Sequence, residues 1–239
     1  KWYTPEIDQK VEDLLKQMTV EEKLGYIGGV NWMYTKNIDR LGIHRMKMSD
    51  GPQGLGTDGK STAYPSTVTL AATWNENLAY QYGKALGRDC RARNVNVILG
   101  PAVNIYRAPM CGRNFEYMGE DPYLTSRICV GYIKGVQDQG VMATVKHFVA
   151  NNSDYDRNNI SNDIDERTLN EIYFPAYKAA IQEAEVGAVM TSYNLMNGIY
   201  TTENPWLLKE VLRNQWGFKG LVMSDWGSTH SVSYTHLRA

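Results

Sequence analysis

Short apolar runs that close on polar residues recur along the chain, each separated from the next by a stretch of helical length. The runs are Arg45–Asp50, Val95–Asn104, Met142–His147, Gly187–Tyr193 and Gly220–Asp225. Helical periodicity fills the intervals Glu76–Arg93, Pro122–Gln139, Glu166–Glu185 and Asn204–Gln215. Strands that alternate with helices predict a parallel sheet in the α/β class. Two weaker units near Ile27 and Ala71 bring the pattern towards an eight-fold (β/α)8 TIM-like barrel, incomplete at its C-terminal end. Ahead of the pattern, Ile7, Val11, Leu14, Leu15 and Met18 share one face of a helix over 6–18. Thr19 with Glu22 reads as a capping box that opens a second helix.

A βα barrel builds its site where strands end and βα loops begin. The polar residues at the expected strand ends are Asp50, Asn104, Lys146, His147, Tyr193 and Asp225. Packing has no use for two acids, an Asn, a Lys-His pair and a Tyr at separate strand ends. Their convergence therefore predicts a polar site on one face.

Composition narrows the classes. Charged residues are 21% and the net charge is -1, which gives no reason to expect nucleic acid or an acidic membrane surface as a partner. No apolar run approaches the roughly 18 residues of a membrane span. Cys90, Cys111 and Cys129 are too few and odd in number for a disulfide framework, and the His and Cys spacing suggests no metal site and no cofactor. The chain starts at Lys1 without a leader pattern, which leaves periplasmic, secreted and cytoplasmic locations open. Aromatic usage is lopsided, with 16 Tyr and 6 Trp against 4 Phe. Tyr and Trp pair an apolar face with a polar tip, which suits stacking on sugar rings and suits half-buried packing equally.

The segment Lys219–Gly227 places Asp225 and Trp226 directly after a buried-strand pattern. A carboxylate there can attack an anomeric carbon; it can equally cap a following helix. The run Trp216-Gly217-Phe218-Lys219-Gly220, continuing through Ser224-Asp225-Trp226-Gly227, resembles the nucleophile signature of glycoside hydrolase family 3. Further segments match that family in the same order. They are Ser49-Asp50-Gly51-Pro52, Gly112-Arg113-Asn114-Phe115-Glu116 with Gly119-Glu120-Asp121-Pro122, Lys146-His147-Phe148 with Asn151-Asn152, Asp165–Leu169, and Ser192-Tyr193-Asn194. The resemblance covers nearly all of residues 8–230, and residues 1–230 read as the family's N-terminal catalytic barrel, truncated.

The resemblance implies a retaining β-glycosidase, a β-glucosidase or β-xylosidase, acting on a β-linked oligosaccharide or glycoside. Asp225 would be the nucleophile. Asp50, Arg113, Lys146, His147 and Arg157 would hold the sugar, with Tyr193 and Trp226 beside the nucleophile. Such roles suit the residues: Asp50 can accept two hydrogen bonds, and Arg113 and Lys146 donate. Alternatively, Arg113 and Lys146 form buried ion pairs with Glu116 or Asp154. An Arg that the family often carries soon after Asp-Gly-Pro is missing from Gln53-Gly54-Leu55-Gly56. The loop Val149–Ser153 lacks the His of the branch that cleaves N-acetylglucosamine. The acid/base Glu is expected from a C-terminal α/β-sandwich domain that lies outside this chain, so the fragment itself is expected to be inactive. Residues 231–239 are expected to be a non-native tail. Two readings from other classes compete: a Schiff-base aldolase using Lys146, and a non-catalytic sugar-binding barrel.

Overall fold

The computed structural model describes residues 3–57 and 59–230. The expectation for the tail at 231–239 lies outside them. The helices α1 (Pro5–Gln17) and α2 (Val20–Ile27) open the chain. Each starts where a side chain accepts from backbone N–H groups that lack helical partners. Thr4 accepts from the Ile7 N–H at 3.3 Å. Thr19 and Glu22 form the reciprocal capping box, at 3.2 and 2.9 Å.

Along the chain follow β1 (Met48–Asp50), α3 (Thr67–Ala71), α4 (Glu76–Ala92), β2 (Val97–Leu99), α5 (Pro122–Gln137), β3 (Met142–Phe148) and β4 (Ser161–Asn162). Then come α6 (Glu166–Thr168), α7 (Pro175–Gln182), β5 (Ala188–Thr191), β6 (Leu195–Met196), β7 (Ile199–Tyr200) and β8 (Leu221–Met223). Five strands form one parallel sheet in the order β1-β2-β3-β5-β8, with Met48 beside Val97, Val97 beside Met142 and Ala188 beside Leu221. Parallel strands whose spatial order never reverses form a barrel wall, whereas a doubly wound sheet reverses direction at a switch point.

The wall has two apolar sides. Outside, α4, α5 and α7 bury Leu86, Tyr132, Ile133 and Tyr177 against Val145 and Phe148. Helices α4 and α5 touch backbone to backbone: a Cβ at Gly83 would collide with the Tyr132 carbonyl, and one at Gly135 with the Tyr80 carbonyl. Inside, Val97, Leu99 and Met190 pack with Met33, Met48, Met142, Met223 and Trp226. That cluster joins β1 to β8, the outer strands of the sheet, so the wall curls around a common interior. Unbranched thioethers fill such an irregular space well. Residues 33–35 run antiparallel beside β1, with the Met48 N–H donating to the Met33 carbonyl at 2.8 Å. The Trp226 indole N–H donates to the Trp32 carbonyl at 3.0 Å, tying the loop after β8 to this segment.

Several expectations need correction. The weak units near Ile27 and Ala71 are helical: Ile27 ends α2 and Ala71 ends α3. Short apolar runs do not distinguish strand from helix, and here the capping side chains of Thr19 and Ser66 decide for helix. The single helix expected over 166–185 is interrupted by a π-helical turn, Leu169–Tyr173, before Pro175, whose nitrogen has no hydrogen to donate. The stretch Trp206–Gln215 is likewise π-helical. A small sheet, β4-β6-β7, was not anticipated.

Candidate active site

The C-terminal strand ends surround a hollow of about 270 Å3. Asp50, Arg113, Lys146, Arg157, Tyr193, Asp225 and Trp226 all line it. His147 lies immediately behind, within reach of Arg113 and Asp225. Each residue reaches the hollow by its place in the fold. Asp50 ends β1, while Tyr193 and Asp225 each follow a strand by two residues. Side chains alternate between the faces of a regular strand. In β3 the register shifts between Val145 and Phe148, and the consecutive Lys146 and His147 both engage the site.

Asp225 is the centre of the arrangement and is only 7% exposed. Its Oδ1 accepts from the Trp226 backbone N–H at 2.7 Å. Its Oδ2 is 3.6 Å from His147 Nε2 and 3.9 Å from Arg113 Nη1. Arg113 also donates through Nε to Glu116 and through Nη2 to His147 Nε2, the latter at 2.8 Å. Opposite, Lys146 Nζ pairs with Asp50 Oδ1 at 3.1 Å. Arg157 pairs with Asp154 at 3.3 Å and lies over the Tyr193 ring. The buried ion pairs expected as alternatives to substrate contact thus exist in part. Glu116 holds Arg113, yet Arg113 and Lys146 still face the hollow; Asp154 holds Arg157 instead.

Burial raises the Asp225 carboxyl above its ordinary value, against the opposing pull of the Trp226 N–H, Arg113, Lys146 and the Tyr193 hydroxyl. Burial pushes the Tyr193 hydroxyl up to about 12, with help from Asp225. Burial drives His147 well below its ordinary value, and Arg113, Lys146 and Arg157 add to this. His147 is therefore neutral, and the Arg113 contact assigns Nε2 as the acceptor and Nδ1 as the protonated nitrogen. Burial works against the Arg113 charge, but Glu116, Tyr117 and Asp225 together hold it above the ordinary arginine value.

Other residues of the sequence reading fall elsewhere. Asn104 is buried and accepts from Asn151 and Tyr177, a purely architectural use. Asn151 and Asn152 brace the hydroxyls of Tyr117 and Tyr173. Gln53, near the missing Arg, donates to the Phe115 carbonyl and so supports the Arg113 loop. The apolar floor of the hollow, Met33, Leu99 and Met190, escaped the sequence reading, which placed Met190 in the core. Met190 does belong to the interior cluster, and it lines the hollow as well. Only the position of Met190 three residues before Tyr193 on the same run could have signalled this. Among the described residues no His, Cys, Asp and Glu cluster could hold a metal ion, and no helix is long and apolar enough to cross a membrane.

The profile of the glycosyl hydrolase family 3 N terminal domain matches residues 19–238. The chain belongs to this family. A β-glucosidase of Rhizobium radiobacter is 48% identical over 94% of the chain, which covers 28% of that protein. An exo-α-(1→6)-L-arabinopyranosidase of Bifidobacterium longum is 40% identical over 90% of the chain and 30% of its own length. The structure of β-glucosidase 3B from Thermotoga neapolitana in complex with glucose superposes with a TM-score of 0.89 at 40% identity, covering 95% of this chain and 35% of that one. The family 3 barrel described here thus spans about a third of the length of these relatives. Of the acids lining its hollow, Asp50 is ion-paired and Asp225 is ringed by donors.

Proposed function

We propose that this chain is the nucleophile-bearing barrel of a retaining β-glycosidase, a β-glucosidase releasing terminal non-reducing β-D-glucose. One observation carries the reading: a buried carboxylate, Asp225, is ringed by donors at the end of a barrel strand in a hollow of monosaccharide size. Pockets for drug-sized ligands measure roughly 300–1,000 Å3, so a space of about 270 Å3 suits one sugar ring.

An Asp225 oxygen attacks the anomeric carbon as the glycosidic C–O bond breaks. The bonding pair leaves with the aglycone oxygen, which takes a proton from an acid. The covalent glycosyl ester on Asp225 is then opened by water, with the same acid group now acting as base. Lys146 and Arg113 donate to sugar hydroxyls, while Asp50 accepts from them in a contact that strengthens as positive charge builds on the ring. Trp226 offers an apolar face at the rim. Asp50 is taken up by Lys146, which leaves no other acid in the lining among the described residues for the proton transfer. We assign that role to a Glu from the α/β-sandwich domain that the family resemblance implies after the barrel.

The 40% identity to an arabinopyranosidase favours a second glycon reading, an α-L-arabinopyranoside in the same hollow. The test uses the full-length enzyme on aryl β-glucoside, β-xyloside and α-L-arabinopyranoside. Proton NMR of the first sugar released should show the anomeric configuration of the substrate. Release of α-glucose first from a β-glucoside would contradict a retaining mechanism, and the preferred aryl glycoside decides the glycon.

A further inference from the structure

We propose that Glu116 is a positioning residue that holds Arg113 off the nucleophile, so that Asp225 stays free to attack. The inference rests on the glycosidase reading and deepens it. Among the described residues three cations line the hollow, Arg113, Lys146 and Arg157. Each has an acid beside it. Lys146 Nζ lies 3.1 Å from Asp50 and Arg157 Nη1 lies 3.3 Å from Asp154, while Arg113 Nε donates to Glu116 Oε1. Asp225 stands apart from these pairs, with Arg113 Nη1 stopping 3.9 Å from its Oδ2. Glu116 does not line the hollow, and only 5% of its side chain is exposed, so its route to the chemistry runs through Arg113. Its backbone is fastened independently. The Glu116 carbonyl accepts from the buried Thr67 hydroxyl of α3 at 2.6 Å, and the preceding Phe115 carbonyl accepts from Gln53 at 2.6 Å.

A guanidinium is a rigid planar fork, so fixing one nitrogen constrains the other two. With Nε on Glu116 and Nη2 on His147 Nε2 at 2.8 Å, Nη1 is left short of Asp225. Without the Glu116 charge, the pull on the guanidinium comes from Asp225. A small rotation then closes the gap to a charged hydrogen bond of roughly 2.7–2.9 Å. Attack on the anomeric carbon must give that bond up. The charged and titratable groups around Asp225 are Asp50 from β1, Arg113 from the loop after β2, Lys146 and His147 from β3, Arg157 from the next loop and Tyr193 from the loop after β5. His147 is neutral, and Lys146 and Arg157 keep their own acids. Loss of the Glu116 charge therefore acts through Arg113 and favours the ionised form of Asp225.

The experiment measures kcat/KM against pH on a dinitrophenyl β-glucoside. It compares full-length wild type with Glu116→Gln, Glu116→Asp, Arg113→Met and the Glu116→Gln/Arg113→Met double variant. The acid limb reports the essential base of the free enzyme, here Asp225. Glu116→Gln should move that limb to lower pH and lower the plateau roughly 10- to 150-fold, the worth of one charged hydrogen bond. Glu116→Asp keeps the charge but reaches less far, so it should shift the limb the same way by less and restore part of the plateau. Adding Glu116→Gln to Arg113→Met should move the limb no further. An unmoved limb in Glu116→Gln overturns the proposal. So does a limb moved to higher pH, which would mean that Arg113 had left the site rather than closed on Asp225. An equal shift with and without Arg113 overturns it as well. If Glu116→Gln does not fold, an unmoved limb in Glu116→Asp is decisive against it. Wild-type turnover tests the glycosidase reading separately. Without turnover, carboxyl 13C NMR still decides: the Asp225 line, assigned by its loss in Asp225→Asn, should titrate at lower pH in Glu116→Gln, and an unmoved midpoint refutes the coupling.

Discussion

Replacing Asp50 by Ala separates the stability and the activity carried by the Asp50–Lys146 pair. Only 3% of the Lys146 side chain is exposed, against 59% of Asp50, and the charged atoms are 3.1 Å apart. Removing the partner of a fully buried charge costs about 3–5 kcal/mol. Here the carboxylate faces the hollow, so water can take its place. The cost falls towards that of one lost charged hydrogen bond, about 1.5–3 kcal/mol. The reverse change, Lys146→Met, leaves a carboxylate facing solvent and should cost within about 1 kcal/mol. Asp50→Ala should therefore lower the melting temperature measurably, and Lys146→Met by less. Activity should behave differently, because in the proposed reading each change removes a sugar contact. A charged hydrogen bond of that strength predicts a fall of roughly 10- to 150-fold in kcat/KM for either variant. The assay is p-nitrophenyl β-glucoside hydrolysis by the full-length enzyme, with thermal unfolding in parallel. Asp50→Ala with kcat/KM within about twofold of wild type would remove Asp50 from the site. Equal losses of melting temperature would refute the burial argument.

Two further outcomes follow from the site. His147 is neutral when folded because of burial and its cationic neighbours, whereas an unfolded His titrates near about 6.5. As pH drops below that value the unfolded chain gains a proton that the folded chain refuses, so stability falls. His147→Gln should make the decline in melting temperature between about pH 7 and 5 shallower, and an unchanged slope would contradict the assignment. The 239-residue polypeptide alone should leave cellobiose essentially untouched, since general acid help is typically worth roughly 10²–10⁴-fold and the described residues lining its hollow offer no acid besides Asp50 and Asp225. Efficient cellobiose hydrolysis by that polypeptide would place an acid/base within it.

Much of this was legible because periodicity and caps are local. The strand end at Asp50, the capping box at Thr19 and the starts of α4 at Glu76 and α5 at Pro122 are set by neighbouring residues. The failures have two causes, a cap that lies outside the apolar run it decides and tertiary partners that no period encodes. The apolar run near Ala71 is equally suited to strand or helix until Ser66 caps it. The approach of Arg113 to His147 depends on how the loop after β2 meets β3. Asn104 looked like a site residue because it follows a strand. Its position beneath Asn151 and Tyr177 is set by packing that no spacing encodes. Met33 lines the hollow through the antiparallel passage of residues 33–35 beside β1, a contact absent from any helix or strand period.

The central claim is that Asp225 is the nucleophile. Its most direct test is to treat the full-length enzyme with a dinitrophenyl 2-deoxy-2-fluoro-β-glucoside, which allows glycosylation but slows release. Peptide mass spectrometry should then find a single fluoroglucosyl adduct on the Asp225 side chain, with a competing ligand such as glucose protecting against it. Labelling of Asp50 or of any other carboxylate in place of Asp225 would contradict the account.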